Sequence, residues 1–320
     1  MKAAVYYQTG GPEVLVYEDV PDPVCGPKQI RIDTKAISVE GGDVLNRGYG
    51  ELPRSPFIVG YTAAGVVTEV GSEVNHIAVG QRVATIGGDG SHAAQRVVSA
   101  FACWLLPDTV PFEQGACVSV TCGTAHEGLF EFGRLRQGET VLVQGGAGGV
   151  GLAAIQLAKQ AGATVYATAS SNDRLARLAE FGLDEGINYS EQNLVEEVMR
   201  LTDKRGVDLV LDPVGGTVLE QSIACATHRG RIVSVGTASR DFNKVNTHGL
   251  APGNKSLTGV FLGAEMATPR VHEMIADLVE QMATGQLHMP IDRTYALAEA
   301  AAAHAYIESR QAVGRVILVP

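Results

Sequence analysis

The first 118 residues consist of short apolar runs separated by turn residues. The runs occupy residues 14–20, 30–32, 63–70, 83–86 and 96–98. Several prolines and the Gly87-Gly88 pair lie between them, and short runs with regular turn signals are typical of strands. The pattern predicts a β-rich domain built as a barrel or a sandwich.

Residues 138–263 show a different pattern, in which apolar strands alternate with helical segments. The predicted strands are residues 141–143, 164–168, 207–211 and 231–235, and the predicted helices are residues 150–161, 172–181, 190–201 and 218–226. Strand–helix–strand succession requires crossover connections, which make the strands parallel and cover the sheet on both faces. We therefore expect a doubly wound parallel sheet in this stretch.

The remaining residues predict two helices, over residues 271–283 and 297–309, and a closing strand over residues 315–319. No long linker or low-complexity segment separates the stretches. We expect an α/β protein of two domains, because a chain of 320 residues is long enough for two cores. Residues 1–119 and 264–320 would form the β-rich domain, with residues 120–263 inserted as the parallel-sheet domain.

Composition narrows the classes of partner and compartment. The chain carries 25 basic and 35 acidic residues, and because an acidic surface repels a phosphate backbone we expect no nucleic-acid partner. Its five cysteines form no C-x-x-C pair, which favours a reducing compartment over a disulfide framework. The sequence has no signal-peptide core and no apolar run near the ~20 residues of a membrane span, so we expect a cytoplasmic protein with no membrane partner.

A glycine loop lies between the first predicted strand of the parallel sheet and the helix after it. Gly146, Gly148 and Gly151 satisfy the pattern G-x-G-x-x-G, which is informative here because a strand precedes it and an amphipathic helix follows. The glycines permit a tight turn, a close approach of backbone N–H groups to a diphosphate, and close helix–sheet packing. The predicted dinucleotide contacts are Gly146, Ala147, Gly148, Gly149, Val150 and Gly151. A Walker A loop is excluded because no Gly-Lys-Ser/Thr follows.

The end of the second predicted strand bears on the choice between NAD and NADP. NAD sites place an acidic residue ~20 residues after the loop to hold the ribose 2′-hydroxyl. Here the strand ends in hydroxyl side chains, including Ser170, and Arg174 follows, a combination that suits a 2′-phosphate. We therefore expect NADPH, with the alternative that Asp173 reaches a ribose hydroxyl and Arg174 is a solvated surface residue.

Several motifs together resemble the medium-chain dehydrogenase/reductase superfamily, and most closely its zinc-independent quinone oxidoreductase (zeta-crystallin-like) branch. Besides the glycine loop they are Gly10-Gly11-Pro12-Glu13-Val14-Leu15, Gly60-Tyr61-Thr62-Ala63-Ala64-Gly65-Val66-Val67, Val70-Gly71-Ser72, Val79-Gly80-Gln81-Arg82-Val83, Ile187-Asn188-Tyr189, Asp212-Pro213-Val214-Gly215-Gly216 and Gly314-Arg315-Val316-Ile317-Leu318. The resemblance covers nearly the whole chain. It implies a GroES-like catalytic domain, a Rossmann domain and a cofactor cleft between them.

The resemblance also implies further cofactor contacts. Tyr189 would touch the adenosine 2′-phosphate beside Ser170 and Arg174, and Thr124 would touch the nicotinamide. The segments that would line the nicotinamide side are Gly236-Thr237 and Phe261-Leu262-Gly263. It further implies a homodimer, in which the last strand of the parallel sheet, around residues 256–262, pairs with its copy.

Zinc-dependent members of the superfamily carry three zinc ligands at positions where this chain has Glu40, Tyr61 and Val120. Catalytic zinc needs ligands such as Cys and His, so the resemblance implies no metal. We interpret Cys122 as a core residue and His126 as structural, with catalysis by His126 as the alternative.

The resemblance places Glu40, Leu45, Tyr49 and Tyr61 at the substrate pocket, with Tyr49 and Tyr61 as candidate proton donors. The predicted function is NADPH-dependent reduction of a quinone by direct hydride transfer. Two alternatives stay open: reduction of an activated carbon–carbon double bond in an enone or enal, and a non-catalytic nucleotide-binding role like that of crystallin relatives.

Overall fold

The computed structural model describes all 320 residues, Met1–Pro320. The chain divides into two compact units, one formed by Met1–Gly123 with Glu265–Pro320 and the other by Thr124–Ala264. We refer to them as the split unit and the inserted unit.

The strands, in chain order, are β1 Lys2–Val5, β2 Val16–Asp19, β3 Gln29–Ser38, β4 Thr62–Val70, β5 Arg82–Ile86, β6 Gln95–Ser99, β7 Cys103–Leu105, β8 Thr140–Val143, β9 Thr164–Ala169, β10 Glu185–Asn188, β11 Val207–Asp212, β12 Ala226–Ser234, β13 Ser256–Gly259, β14 Ile291–Ala296 and β15 Arg315–Val319.

The α-helices are α1 Gly41–Tyr49, α2 Phe112–Cys117, α3 Gly123–His126, α4 Gly149–Gln160, α5 Asn172–Leu178, α6 Leu194–Leu201, α7 Thr217–Cys225, α8 Leu262–Glu265, α9 Pro269–Ala283 and α10 Ala300–Glu308. Two π-helical segments, Val118–Cys122 and Glu127–Glu131, lie on either side of α3. No helix combines the length and the apolarity needed to cross a bilayer.

The split unit is built on a seven-stranded sheet. Its strands follow the order β14-β15-β3-β4-β5-β7, and β6 also pairs with β3. Most pairs in this sheet are antiparallel, and β1 and β2 form a separate two-stranded sheet. The strand-rich pattern predicted for the N-terminal stretch is therefore present, and the tail contributes β14 and β15 to the same sheet.

The inserted unit contains a six-stranded parallel sheet in the order β10-β9-β8-β11-β12-β13. Numbered within the unit this is 3-2-1-4-5-6, the order of dinucleotide-binding Rossmann folds. The apolar side chains of β8, Val141, Leu142 and Val143, are completely buried, as expected for a strand covered by helices on both faces. The predicted doubly wound sheet is confirmed.

Three local predictions need correction. Residues 41–49 form helix α1, although the sequence pattern predicted only strands and turns before residue 118. Helix α5 is capped by Ser171, whose Oγ accepts from the Arg174 amide at 3.4 Å, and it ends at Leu178, before the predicted end at residue 181, where a 3-10 helix, Ala179–Phe181, follows. Helix α6 begins at Leu194 because the Asn193 side chain accepts from the first-turn amides there, which shortens the helix predicted from residue 190.

Candidate functional site

The glycine loop presents the unpaired amides of a helix N-terminus. Gly148 precedes the 12-residue helix α4 in an extended conformation, and no side chain caps the helix. The first helical hydrogen bond runs from the Leu152 amide to the Gly148 carbonyl at 2.9 Å. The amides of Gly149, Val150 and Gly151 thus have no acceptor within the helix. Free amides at the positive end of a helix dipole form a site for an anion such as a diphosphate.

Close backbone packing explains why this loop needs glycine. Gly145 has a φ of +61°, a conformation that side chains with a Cβ rarely adopt. A Cβ on Gly151 would lie 2.5 Å from the Gly145 carbonyl oxygen, and one on Gly146 would lie 2.8 Å from the Ala167 Cβ. The inner side of the loop is therefore packed tightly against the sheet and against itself. The outer side of its backbone is the side that a ligand can approach. The residues present fit a dinucleotide.

The structure brings the predicted 2′-phosphate residues together. The Arg174 Nη1 donates to the Ser170 Oγ at 2.9 Å, immediately after β9. Tyr189 follows β10, which pairs with β9; its amide donates to the Ala169 carbonyl at 3.1 Å, and its ring is half exposed. The Ser190 hydroxyl donates to the Ser170 carbonyl at 3.0 Å. The arrangement offers a guanidinium, hydroxyls and an aromatic ring at one corner of the sheet edge.

The remaining predicted cofactor residues lie in the inserted unit. Gly236 and Thr237 follow β12 and lie against the turn after β11, since a Cβ on Gly215 would be 2.9 Å from the Gly236 carbonyl oxygen. Phe261 is 77% exposed, while Leu262 is buried and starts α8 together with Gly263. Thr124 is buried in α3. The segments after β11, β12 and β13 all lie at the carboxyl edge of the parallel sheet, where such folds bind ligands.

In the split unit, a buried ion pair lies at the position of Glu40, where zinc-dependent members of the superfamily carry their first zinc ligand. Glu40 Oε1 lies 2.7 Å from Arg315 Nη2, and both side chains are nearly inaccessible. The hydroxyls of Ser38 and Thr121 also donate to the Glu40 carboxylate, at 2.9 and 3.3 Å. Burial lowers the pKa of the Arg315 guanidinium, but the charges and hydrogen bonds of Glu40 and Cys117 together more than offset this, so the net shift is upward. Glu40 therefore serves as the counter-ion of a buried arginine.

A second polar group surrounds Tyr61. The Asn46 Nδ2 on α1 donates to the Tyr61 hydroxyl at 2.6 Å. Burial, then the nearby Asp43 carboxyl, raises the pKa of Tyr61 to about 12, so the phenol keeps its proton at neutral pH. Asp43 is completely buried and accepts from the Glu40 amide at 2.8 Å. Burial raises the pKa of Asp43 to about 8, so this carboxyl is largely neutral at pH 7.

The other predicted pocket residues are less enclosed. Tyr49, at the end of α1, is 69% exposed, and Leu45 is partly buried on the same helix. Asn46, which donates to the Tyr61 hydroxyl, and Asp43, whose carboxyl contributes to the raised pKa of Tyr61, were not predicted. The signal that would have found them is a helix at residues 41–49, which the abundant glycines of that segment concealed.

The residues of the split unit do not fit a zinc ion. No three His, Cys, Asp or Glu side chains gather closely enough to hold a metal. At the position of Glu40 the guanidinium of Arg315 already neutralises the carboxylate, and a divalent cation beside it would be repelled.

Comparison with known proteins places the chain in a family. The quinone oxidoreductase of Pseudomonas aeruginosa is 36% identical over 315 residues, which cover 97% of each chain. The chain belongs to the medium-chain dehydrogenase/reductase superfamily. Within this superfamily, the family model "Alcohol dehydrogenase GroES-like domain" matches residues 26–148 and the model "Zinc-binding dehydrogenase" matches residues 149–280. The predicted family and the predicted combination of a GroES-like with a Rossmann domain are confirmed.

Two further members of the superfamily bear on cofactor and substrate. The crystal structure of Escherichia coli quinone oxidoreductase complexed with NADPH superposes on all of this chain and all of its own, with a TM-score of 0.94 and 30% identity. The 2-haloacrylate reductase of a Burkholderia species is 32% identical over 328 residues, covering 99% of this chain and 98% of its own. Both match this chain over nearly the whole of both sequences.

Proposed function

We propose that the chain is an NADPH-dependent quinone oxidoreductase. The observation that carries this proposal is the Arg174–Ser170 contact of 2.9 Å beside Tyr189, at the sheet edge that also carries the glycine loop. No carboxylate of β9 stands at this corner to compete with a 2′-phosphate. A guanidinium recognises a phosphate by paired, charge-assisted hydrogen bonds, which a plain ribose hydroxyl does not offer.

NADPH, when bound, supplies the hydride that reduces the acceptor. The amides of Gly149, Val150 and Gly151 would hold its diphosphate, and Arg174 with Ser170 would hold its 2′-phosphate. Through these contacts the protein binds and orients the cofactor, and orientation contributes a large share of the rate in a reaction of this kind.

For the proton that completes the reduction we propose the Tyr61 hydroxyl. Because the Asn46 amide donates to the Tyr61 oxygen, the phenolic hydrogen remains available to a second acceptor. A neutral phenol donates a hydrogen bond to a carbonyl oxygen as negative charge develops there. A quinone needs little more assistance, since its reduced anion is delocalised.

Reduction of an activated carbon–carbon double bond is the second candidate function. One argument for it is the similarity to the 2-haloacrylate reductase. The other is the Tyr61 hydroxyl, held by Asn46. Hydride addition to an enone gives an enolate, which is a stronger base than a hydroquinone anion and therefore gains more from a proton donor in a fixed position. A non-catalytic nucleotide-binding role is the outcome if NADPH binds but a broad panel of quinones and enones leaves it unoxidised.

The cofactor proposal is tested by Arg174→Ala, with Arg177→Ala as the control from the same helix. Loss of a charge-assisted contact of roughly 1.5–3 kcal/mol should weaken NADPH binding about 10- to 100-fold. NADH binding should be unchanged, and the control should bind both nucleotides like the wild type. Titration calorimetry measures all four affinities, and equal losses for NADPH and NADH would refute the 2′-phosphate site.

The substrate proposal is tested with Tyr61→Phe. Rates on a benzoquinone and on an enone are measured at saturating NADPH for the wild type and the variant. We expect the wild type to prefer the quinone, and the variant to lose more of its enone rate than of its quinone rate. An enone rate above the quinone rate in the wild type would favour the second candidate function, and unchanged rates in the variant would remove Tyr61 as the proton donor.

We further propose a cytoplasmic homodimer. All five cysteines are free thiols, which suits a reducing compartment. Strand β13 ends the parallel sheet and pairs only with β12, so its outer edge offers unpaired backbone groups to a second copy. Light scattering should give the mass of two chains, and the mass of one chain would overturn the dimer.

A further inference from the structure

A chain of buried hydrogen bonds runs across the carboxyl edge of the parallel sheet. The Gly145 amide donates to the Thr168 Oγ1 at 2.9 Å, and this hydroxyl donates to the Gln144 Oε1 at 2.9 Å. The Gln144 Nε2 donates to the Ser222 Oγ at 3.0 Å, and Ser222 donates to the Asp212 Oδ2 at 2.8 Å. The four side chains are at most 2% exposed.

The two ends of this chain fix its direction. A backbone N–H only donates and a carboxylate only accepts, so each hydroxyl between them must accept from one side and donate to the other. The other Asp212 oxygen accepts from the amides of Val214 and Gly215, at 2.8 and 2.9 Å. Asp212 thus has a donor on each oxygen without any cationic partner in its hydrogen bonds, and it is the accepting end of the series.

This series of hydrogen bonds connects the two ends of the proposed nucleotide site. Gly145 opens the glycine loop, and the Gly146 amide is bound to the Thr168 carbonyl at 2.8 Å, so Thr168 holds two consecutive loop amides. Asp212 opens the turn that lies against Gly236. Strand β8 lies between the strands that carry Thr168 and Asp212, and Gln144 follows β8 directly.

We propose that Thr168, Gln144, Ser222 and Asp212 act as one positioning network, which sets the conformation of the glycine loop for the diphosphate. The proposal rests on the proposed nucleotide-binding function. These residues act through the loop and do not contact the cofactor. Because NADPH and NADH share the diphosphate, loss of the network should weaken both nucleotides by the same factor, whereas loss of Arg174 should weaken NADPH alone.

The first test compares Thr168→Val with Thr168→Ser. Valine keeps the branched shape but removes both hydrogen bonds of the hydroxyl, while serine retains the hydroxyl. We expect Thr168→Val to weaken NADPH and NADH about tenfold each, a loss in the range of one or two buried hydrogen bonds, and Thr168→Ser to bind within about twofold of the wild type. Calorimetric titration of the folded variants with each nucleotide gives the affinities. Unchanged binding by Thr168→Val, or a loss confined to NADPH, would overturn the proposal.

The second test asks whether distant members act as a unit. Asp212→Asn keeps the shape of the side chain but replaces one accepting oxygen with an NH2 donor. This donor would face either the Ser222 hydroxyl or the turn amides, so the hydrogen-bond series could not keep its present donor–acceptor order. If the network acts as one, the double variant Thr168→Val/Asp212→Asn should lose no more affinity than its weaker-binding single variant. If the residues act separately, the two losses should multiply, which would refute the network.

The matched control for this double-mutant cycle is the double variant Thr168→Val/Arg174→Ala. Since Arg174 lies outside the network, we expect its NADPH affinity to fall by the product of the two single-variant losses. Should Asp212→Asn fail to fold, Ser222→Ala removes the middle link and takes its place in the cycle. A wild-type protein that binds neither nucleotide would refute the proposed function itself. A wild type that binds both while the variants bind equally well would refute the network alone.

Discussion

Acidification below about pH 6.5 should destabilise the split unit through two buried histidines. The Nε2 atoms of His92 and His304 lie 3.0 Å apart, so one ring donates to the other and at least the accepting ring is neutral. Burial, then the charge of Arg96, lowers the pKa of His92 to about 3. Burial, then His92 itself, lowers the pKa of His304 well below its usual range.

The sign and the size of the effect follow from proton linkage. An unfolded histidine has a pKa of about 6.5, so below that pH the unfolded chain binds protons that the folded chain does not. Each histidine then lowers the free energy of unfolding by about 1.4 kcal/mol per pH unit, over a window that extends down to a pH of about 3 for His92.

Asp43 acts in the opposite direction. Its pKa is about 8 in the folded chain, against about 3.9 in the unfolded chain. Between these values the folded chain holds the extra proton, so acidification stabilises it by about 1.4 kcal/mol per unit. Together, the two histidines and Asp43 should lower the free energy of unfolding by about 1.4 kcal/mol per pH unit on either side of a maximum near pH 6.5, between about pH 4 and pH 8.

The double variant His92→Leu/His304→Leu isolates the histidine contribution. Urea unfolding is measured at pH 4.5, 5.5 and 6.5, followed by the fluorescence of Trp104, the single tryptophan, which belongs to the same unit as the pair. With the pair removed, Asp43 and the partly buried His272, whose pKa is lowered by burial, act in opposite directions. The variant should therefore lose much less stability on acidification than the wild type. The exposed His228, changed to Gln as a control, should leave the wild-type slope unchanged. A double variant with the wild-type slope would refute the reasoning.

Three further predictions concern stability. Asp43→Asn should abolish the loss of stability between pH 6.5 and 8, and a urea titration that shows the wild-type slope there would contradict it. Glu40→Gln should cost about 3–5 kcal/mol of unfolding free energy, because it leaves the Arg315 guanidinium buried without its counter-ion, and adding Arg315→Met should restore part of that loss in chemical denaturation. Leu142→Ala, in the completely buried strand β8, should cost about 2–5 kcal/mol by circular dichroism, and a loss below 1 kcal/mol would show that the core collapses around the site.

The nucleotide-binding half could be predicted because its determinants are local. The glycine loop, the strand before it and the helix after it occupy consecutive residues, and in the proposed site the backbone itself would supply the ligand contacts. Ser170 and Arg174 are four residues apart on one strand–helix turn, so their contact also follows from short-range geometry. Periodicity over such segments specifies both the element and the face it buries.

Helix α1 was missed because its own sequence disfavours it. Glycine lowers helix propensity, and Gly41, Gly42 and Gly48 all lie in this nine-residue helix. The helix is stabilised by tertiary contacts, in particular the ion pair of the buried Arg47 with Glu308, at 2.5 Å. The partners are 261 residues apart in the chain, so no local pattern indicates the pair.

The histidine pair and the hydrogen-bond network escaped prediction for the same reason. His92 and His304 are separated by 212 residues, and Gln144 and Ser222 by 78. Taken alone, each of these side chains is a polar residue in an otherwise apolar stretch, which sequence reasoning interprets as exposed or structural. Only the fold shows that such groups are buried together, where each unpaired member would be costly.

The chemistry available to the split unit follows from how it accommodates its buried charges. Glu40 is neutralised by Arg315, and burial of the Asp43 carboxyl favours its protonated form. The nearby Tyr61 hydroxyl can donate one hydrogen bond but cannot withdraw electrons as strongly as a metal ion. Such a unit suits an acceptor whose reduced form already delocalises its charge, and it offers little to a simple ketone. We therefore expect the acceptors to be quinones and conjugated carbonyl compounds.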